Sequence, residues 1–249
     1  MEEKTFVEKL ATGIAGFDSI SNGGIPKGRT TLIAGTAGSG KTIFAAQFLA
    51  EGISKEHEPG VFVTFEESPQ DISKNLSSLG WTIRAWETER QWLFVDASPN
   101  VAEEPVRSGS YDLAALLARI EHAVNKIGAK RVAMDSLGAI FSRLQEISLI
   151  RRELFRIASA LKKMGVTAVM TAERTLEYGE TTRYGVEEFV ADNVIILRNV
   201  LEAEKRRRTV EILKFRGTSH QQGEFAFTIM PAQGIVIVPL SATGEKGEC

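Results

Sequence analysis

"GTAGSGKT" (residues 35–42) matches the spacing G-x-x-x-x-G-K-[ST] and stands between an apolar stretch, 31–34, and a helix-period stretch, 42–54. That flanking context, strand before and helix after, is what a phosphate-binding loop requires. Glycines let the backbone curl around a polyphosphate so that its N–H groups and the following helix N-terminus face the charge. In this pattern Lys41 reaches the β- and γ-phosphates. Thr42 offers its hydroxyl to Mg²⁺, an ion that takes octahedral oxygen ligands and keeps several waters.

On the carboxyl side of the loop, short apolar runs alternate with helix-period segments. The pattern predicts strands at 31–34, 61–65, 92–96, 132–134 and 168–171, and helices at 42–54, 69–79, 112–127 and 144–164. This βαβ alternation argues a parallel sheet with helices on both faces. Ser68 before Pro69 reads as an N-cap with a first-turn proline, and Asp112 as a similar cap. Beyond residue 171 only strands follow, at 193–200, 208–215, 225–230 and 235–238, which reads as an antiparallel extension of the sheet. "EAEKRRR" (202–208) between the first two is the composition of a solvated hairpin tip. No Pro/Gly/Ser-rich linker interrupts the chain before Ser241, so the expectation is one α/β domain over 1–240. The polar 241–249 is expected to be a tail or the start of a linker between domains.

A nucleotide site on such a sheet needs an acid at the end of a neighbouring strand that holds the metal's water. "RVAMDS" (131–136) supplies Asp135 after three apolar residues. Hydrolysis further needs a carboxylate that orients and deprotonates a water. "FVTFEE" (62–67), the next strand in sequence, ends in Glu66 and Glu67 near the carboxyl edge where open α/β sheets bind ligands. Strand parity puts Phe62, Thr64 and Glu66 on one face and Val63, Phe65 and Glu67 on the other. Two adjacent desolvated carboxylates repel, so a division of labour is expected, and parity alone does not say which acid is the base.

Composition sets the outer bounds. The 249 residues are 43% hydrophobic and 25% charged, as in ordinary globular proteins. A net charge of −2 gives no overall attraction to nucleic acid or to an anionic membrane. The single cysteine, Cys249, makes no internal disulfide, and neither a signal peptide nor an apolar run near eighteen residues is present, so a cytoplasmic location is expected. His57 and His122 have no partner at metal-ligand spacing, and Trp81, Trp86 and Trp92 read as local core packing.

Four longer stretches carry a more specific signal: "GVFVTFEESPQDI" (60–72), "RRELFRIASALKKMG" (151–165), "RYGVEEFVADNVIILRNVLE" (183–202) and "RRRTVEILKFRGTSH" (206–220). With the phosphate loop and "VAMDS", they resemble the RecA-like ATPases of the KaiC/RadA group, and most closely the N-terminal (CI) ATPase domain of the KaiC family. The likeness runs from about Gly13 to Leu240. It implies a RecA-like P-loop core that hydrolyses ATP slowly with Mg²⁺, forms a homohexameric ring with nucleotide at each subunit interface, and binds a KaiB-type partner according to nucleotide state. Full-length members carry two such domains in tandem, the second with serine/threonine autokinase activity; this chain has one phosphate loop.

By the same resemblance, Gly38, Ser39, Gly40, Lys41, Thr42 and Ile43 contact ATP, Thr42 and Asp135 serve the metal, and Ser78 lies by the base. Lys214, Phe215, Arg216, Thr218 and His220 reach the nucleotide from the neighbouring subunit. RecA-like ATPases place their catalytic glutamate where Glu66 stands, which makes Glu66 the expected base and Glu67 an acid that either supports the site from behind or lies at the subunit interface, where it meets a neighbour's cation such as Arg216. Lys and Arg in alternation on a strand share one face, and cations completing a phosphate site across an interface act as arginine fingers do. Two departures are visible: "TIMPAQG" (228–234) places Met230 and Pro231 where the family has Thr-Asp, and the loop "PNVAEEPVRSGSYD" (99–112), which in the family engages KaiB, differs in length and sequence. Two other readings use the same loop. A RecA/RadA-like DNA-dependent recombinase needs a basic DNA path and an added DNA-binding module, and the chain shows neither. A nucleotide-gated scaffold with little turnover has the same sequence signature.

Overall fold

Strand β3 (Thr30–Gly35) lies in the middle of a nine-stranded sheet in a computed structural model that describes residues 7–98, 113–141 and 146–237. The other strands are β4 (Gly60–Thr64), β5 (Trp92–Asp96), β6 (Arg131–Asp135), β7 (Thr167–Glu173), β8 (Asn193–Glu202), β9 (Lys205–Phe215), β10 (Glu224–Met230) and β11 (Gly234–Ile237). They run in the order β11-β10-β9-β8-β3-β7-β6-β4-β5. Every pairing from β8 to β5 is parallel, and β8-β9-β10-β11 is antiparallel, as the sequence pattern led one to expect. A separate two-stranded pair joins β1 (Lys9–Leu10) to β2 (Ile25–Pro26).

The parallel strands are mostly apolar in their interiors because both faces are covered; every residue of β3 and β4 is buried. On one face α2 (Lys41–Glu56) packs Phe44, Phe48 and Leu49 against Phe62, Ile195 and Val210. On the other, α5 (Leu113–Ile127) and α7 (Ile147–Lys163) pack Ile120, Leu154 and Ile157 against Leu32, Val61 and Val63. The parity expected of "FVTFEE" holds, with Phe62 in the first core and Val63 and Phe65 in the second. Trp92 stacks on Phe62 at 5.7 Å and on Trp86 at 6.3 Å, which is packing.

Helix α3 (Pro69–Ser77) starts as expected, with Ser68 Oγ accepting from the Asp71 N–H and Pro69 in the first turn. Four short helices among the described residues, α1 (Phe17–Ile20), α4 (Ile83–Thr88), α6 (Leu137–Phe141) and α8 (Glu187–Val190), have no counterpart in the periodicity, because so few residues hold too few turns to show a period. The expected cap Asp112, the loop 99–112, the start of the 144–164 helix, Val238 and the tail 241–249 lie outside the described residues.

One feature of the strand order governs the site. β3 and β4 are consecutive in sequence but separated in the sheet by β7 and β6, so four carboxyl ends stand in a row: Gly35, Glu173, Asp135 and Thr64. Ligands in open α/β sheets bind at such a switch point.

Candidate nucleotide site

The loop between β3 and α2 takes its shape from glycine. Gly40, just before α2, has φ 98°, a left-handed backbone that L side chains rarely adopt. A Cβ on Gly35 would come within 2.6 Å of the Leu197 carbonyl on β8, so a side chain there would force the two strands apart. No side chain caps α2 and its first turn holds no acid, so the leading N–H groups and the positive end of the helix dipole face the loop. Lys41 Nζ donates to the carbonyls of Gly35 and Thr36, both at 2.9 Å. Burial pushes the Lys41 ammonium below the usual lysine range, against the opposing pull of Asp135, Glu173, Glu66 and Glu177.

Asp135 ends β6 and gathers two hydroxyls. Thr42 Oγ1 donates to its Oδ2 at 2.6 Å, and Thr171 Oγ1 on β7 donates to its Oδ1. The peptide bond that follows, Asp135–Ser136, is cis. A hydroxyl and a carboxylate side by side at the mouth of a phosphate loop are hard oxygen donors of the kind Mg²⁺ takes, with waters and phosphate oxygens completing its shell. The residues present therefore fit the metal that the sequence implied, through Thr42 and Asp135.

A cleft of about 110 Å³ opens here, lined by Lys41, Thr42, Glu66, Glu67, Asp135 and Glu173 among others. The two glutamates turn apart inside it. Glu66 Oε1 accepts from Ser136 Oγ at 3.2 Å, beside Asp135, whereas Glu67 Oε2 accepts from Asn75 Nδ2 on α3 at 3.3 Å. Burial pushes the Glu66 carboxyl above the usual range, and the charges of Glu173 and Asp135 add to this, while the Ser136 hydrogen bond and Lys41 oppose it.

The remaining expected residues fall in other places. Ser39 is buried in the loop and donates to the Thr36 carbonyl at 2.8 Å, and Ile43 packs on the first core. Ser78, exposed just after α3, donates to the Asn75 carbonyl at 2.7 Å. Lys214, Phe215, Arg216, Thr218 and His220 are not at this chain's own phosphate loop. β9 runs antiparallel to β8, which pairs Phe215 with Asn193, level with Thr31, while Leu197 is level with Gly35. At ~3.3 Å per residue Thr31 and Gly35 are about 13 Å apart, so this cluster occupies the amino edge, opposite the loop. There Lys214 Nζ donates to the carbonyls of Glu188 and Ala191 at 2.9 and 2.8 Å, and Arg216 lies 3.7 Å from Asp192. Phe215 is buried, with its ring 5.6 Å from that of His220, and Thr218 Oγ1 is 3.5 Å from the Ser219 carbonyl.

Several residues at the site were not read from the sequence. Arg208, taken with the solvated hairpin tip, donates from Nε to the Gly38 carbonyl at 3.0 Å. Ser136, Thr171 and Glu173 join the acid cluster. A signal existed for the last two: Thr171 ends the expected 168–171 strand and Glu173 follows two residues on, and the carboxyl end of any parallel strand here points at the ligand edge.

The comparisons with known proteins agree with this geometry. The family model "ATPase: KaiC" matches residues 10–242. The circadian clock protein KaiC3 of Synechocystis sp. is 64% identical over 241 residues, covering 97% of this chain and 48% of that protein. The circadian clock oscillator proteins KaiC of Prochlorococcus marinus (strain MIT 9313) and Parathermosynechococcus lividus are each 56% identical, over 95% and 97% of this chain and 47% and 44% of theirs. The chain spans about half the length of these relatives. Its mostly parallel sheet, with the phosphate loop at the carboxyl end of the central β3, is the RecA-like P-loop fold. The chain belongs to the KaiC family of ATPases.

Proposed function

We propose that this chain is an ATP-hydrolysing, ring-forming module whose nucleotide state controls a protein partner. The observation that carries the reading is the Thr42–Asp135 pair, 2.6 Å apart at the phosphate loop with Glu66 in the same cleft. The N–H groups around Gly38 and Gly40 and the Lys41 ammonium bind the triphosphate. Thr42 and Asp135 would hold Mg²⁺, which would neutralise charge on the triphosphate. Glu66 orients the attacking water and accepts its proton, and the raised affinity of this carboxyl for a proton makes it a better base than a free glutamate. Glu67, held toward α3, serves at the rim.

The amino-edge cluster of Lys214, Arg216, Thr218 and His220 supports a site completed by a second copy, since this chain cannot bring it to its own loop. Arg216 also lines a cleft of about 510 Å³ with Arg151, Arg152 and Arg156 beside the exposed Phe155 and Phe189, a cationic and apolar face suited to a subunit contact. We place Ser78 near the base of the nucleotide. The matched relatives are named as circadian clock proteins, and by that likeness we infer a KaiB-type partner and a role in timing.

Phosphate release from MgATP, with nucleotide binding measured alongside, tests the reading. The chain is expected to bind and turn over ATP slowly, and Lys41→Ala to lose binding. A chain that neither binds ATP nor releases phosphate would sink the proposal, and tight, salt-sensitive DNA binding would replace it with a recombinase.

A further inference from the structure

The segment that follows β7 is fastened to the phosphate loop by bonds that the mechanism above does not use. The Arg174 N–H donates to the Gly35 carbonyl at 3.1 Å. Glu177 then bridges two elements with its carboxylate: Oε1 accepts from Thr36 Oγ1 at 2.7 Å and Oε2 accepts from the Asn199 N–H at 3.0 Å. Thr36 is the first variable residue of the loop, and its own carbonyl holds both Lys41 Nζ at 2.9 Å and Ser39 Oγ at 2.8 Å. A single residue of the loop thus joins Glu177 on one side to the phosphate-binding lysine and serine on the other.

Glu177 itself is firmly held. Arg198, buried in β8, donates from Nε to the Glu177 carbonyl at 3.0 Å and pairs with Glu211 and Glu224 at 2.5 and 3.4 Å. Its guanidinium lies 4.9 Å from the ring of Tyr178, the next residue. The buried Arg174 donates to the Glu180 carbonyl at 3.1 Å and closes the turn from behind. The turn is therefore fixed to the sheet through two arginines, and the Glu177 side chain transmits that fixed position to the loop.

We propose that Glu177 is a positioning residue for the phosphate loop, setting Thr36 so that Lys41 and Ser39 are arranged for the triphosphate before it binds. The inference rests on the ATP-binding reading above and adds a residue outside the loop motif. Its physical basis is preorganisation: a loop whose hydrogen bonds are made in advance loses less freedom on binding. The effect lies in binding and leaves the water-activating step alone, because Glu177 touches neither Glu66 nor Asp135 in the hydrogen bonds described.

The test is MgATP binding and steady-state hydrolysis by the chain, by Glu177→Ala, by Glu177→Gln and by Thr36→Ala. Removal of the carboxylate leaves a hydroxyl and an N–H without an acceptor, and we expect Glu177→Ala to bind MgATP about tenfold more weakly, with KM rising and kcat within about twofold. Glu177→Gln restores most of the affinity, because its Oε1 accepts from Asn199 and its Nε2 donates to Thr36 Oγ1. The double variant Glu177→Ala/Thr36→Ala is no weaker than the worse single, the signature of a shared path. Wild-type affinity in Glu177→Ala, or losses that multiply in the double variant, would overturn the proposal. If Glu177→Ala does not fold, Thr36→Ala removes the same contact from the loop side, and a KM unchanged from wild type is then the overturning result. Failure of the unaltered chain to bind MgATP counts against the ATPase reading, whereas equal binding by both proteins counts against Glu177 alone.

Discussion

Glu66 and Glu67 are neighbours in the chain, yet Ser136 donates to the first and Asn75 to the second, so one stands beside Asp135 and the other faces α3. Glu66→Gln is expected to keep MgATP binding and lose hydrolysis by about 10²–10⁴-fold, the usual range for a general base. Glu67→Gln should cost far less. Single-turnover phosphate release separates the two, and a rate that survives in Glu66→Gln but disappears in Glu67→Gln reverses the roles. A pH profile adds a second check. The base must be ionised to work, and burial with the Glu173 and Asp135 charges raises its pKa, so hydrolysis fails as pH drops through a value above that of a free glutamate. Glu173→Gln removes one of the charges that raise the pKa and should move that acid limb to lower pH; a limb that moves up argues against Glu66 as the titrating group. The motif residues of this site were legible because their types are dictated by phosphate and metal chemistry at fixed spacing. Ser136 and Glu177 were not, since they arrive by chain course and turn geometry, which leave no spacing to read, and Thr171 and Glu173 had only their place at the carboxyl end of a parallel strand to mark them.

Parallel strands showed themselves as apolar runs because both faces of the sheet are covered, and that same rule conceals what lies between them. Sequence periodicity gives each strand its faces but not its neighbours, so β7 and β6 standing between β3 and β4 could not be read. Nor could the contact of β6 with α2. Arg131, the first residue of β6, is fully buried, with Nε 2.8 Å from Glu58 Oε2 and Nη1 donating to the carbonyls of Ala11 and Phe48 at 2.8 and 2.9 Å. Its guanidinium lies 4.7 Å from the Phe48 ring centroid. Gly52 in α2 makes the space: a Cβ there would stand 2.5 Å from Arg131 Nε and 2.6 Å from its Cδ. Helix propensity alone says that Gly52→Ala gains about 1 kcal/mol. Overpacking costs about 1–3 kcal/mol, and the displaced guanidinium also loses hydrogen bonds, so packing should win by roughly 1–2 kcal/mol. Chemical denaturation reads this directly as a lower midpoint; a higher midpoint would mean that Arg131 moves aside without loss.

The sheet separates two edges, with the phosphate loop at the carboxyl end of β3 and the Lys214–Arg216 cluster at the carboxyl end of the antiparallel β9, level with the amino end of β3 and about 13 Å away along the strands. A closed ring built from head-to-tail contacts is the arrangement that brings one edge of each copy to the other edge of the next. MgATP should therefore raise the molar mass seen by light scattering, and a persistent monomer at saturating nucleotide would argue against any shared site. Mixing experiments test the sharing itself. Lys41→Ala spoils the loop of its own subunit but keeps Arg216 for its neighbour, and Arg216→Ala does the reverse. Each variant alone should hydrolyse little. In a random one-to-one mixture, about a quarter of the interfaces join an intact loop to an intact arginine, so activity should return to roughly that fraction of wild type. If Arg216 acts only within its own chain, for instance by steadying Asp192 across 3.7 Å, no intact site is created by mixing and no activity returns. Recovery on mixing is therefore the outcome that assigns Arg216 to the neighbouring nucleotide, and its absence in a mixture shown to co-assemble would return the residue to a structural role.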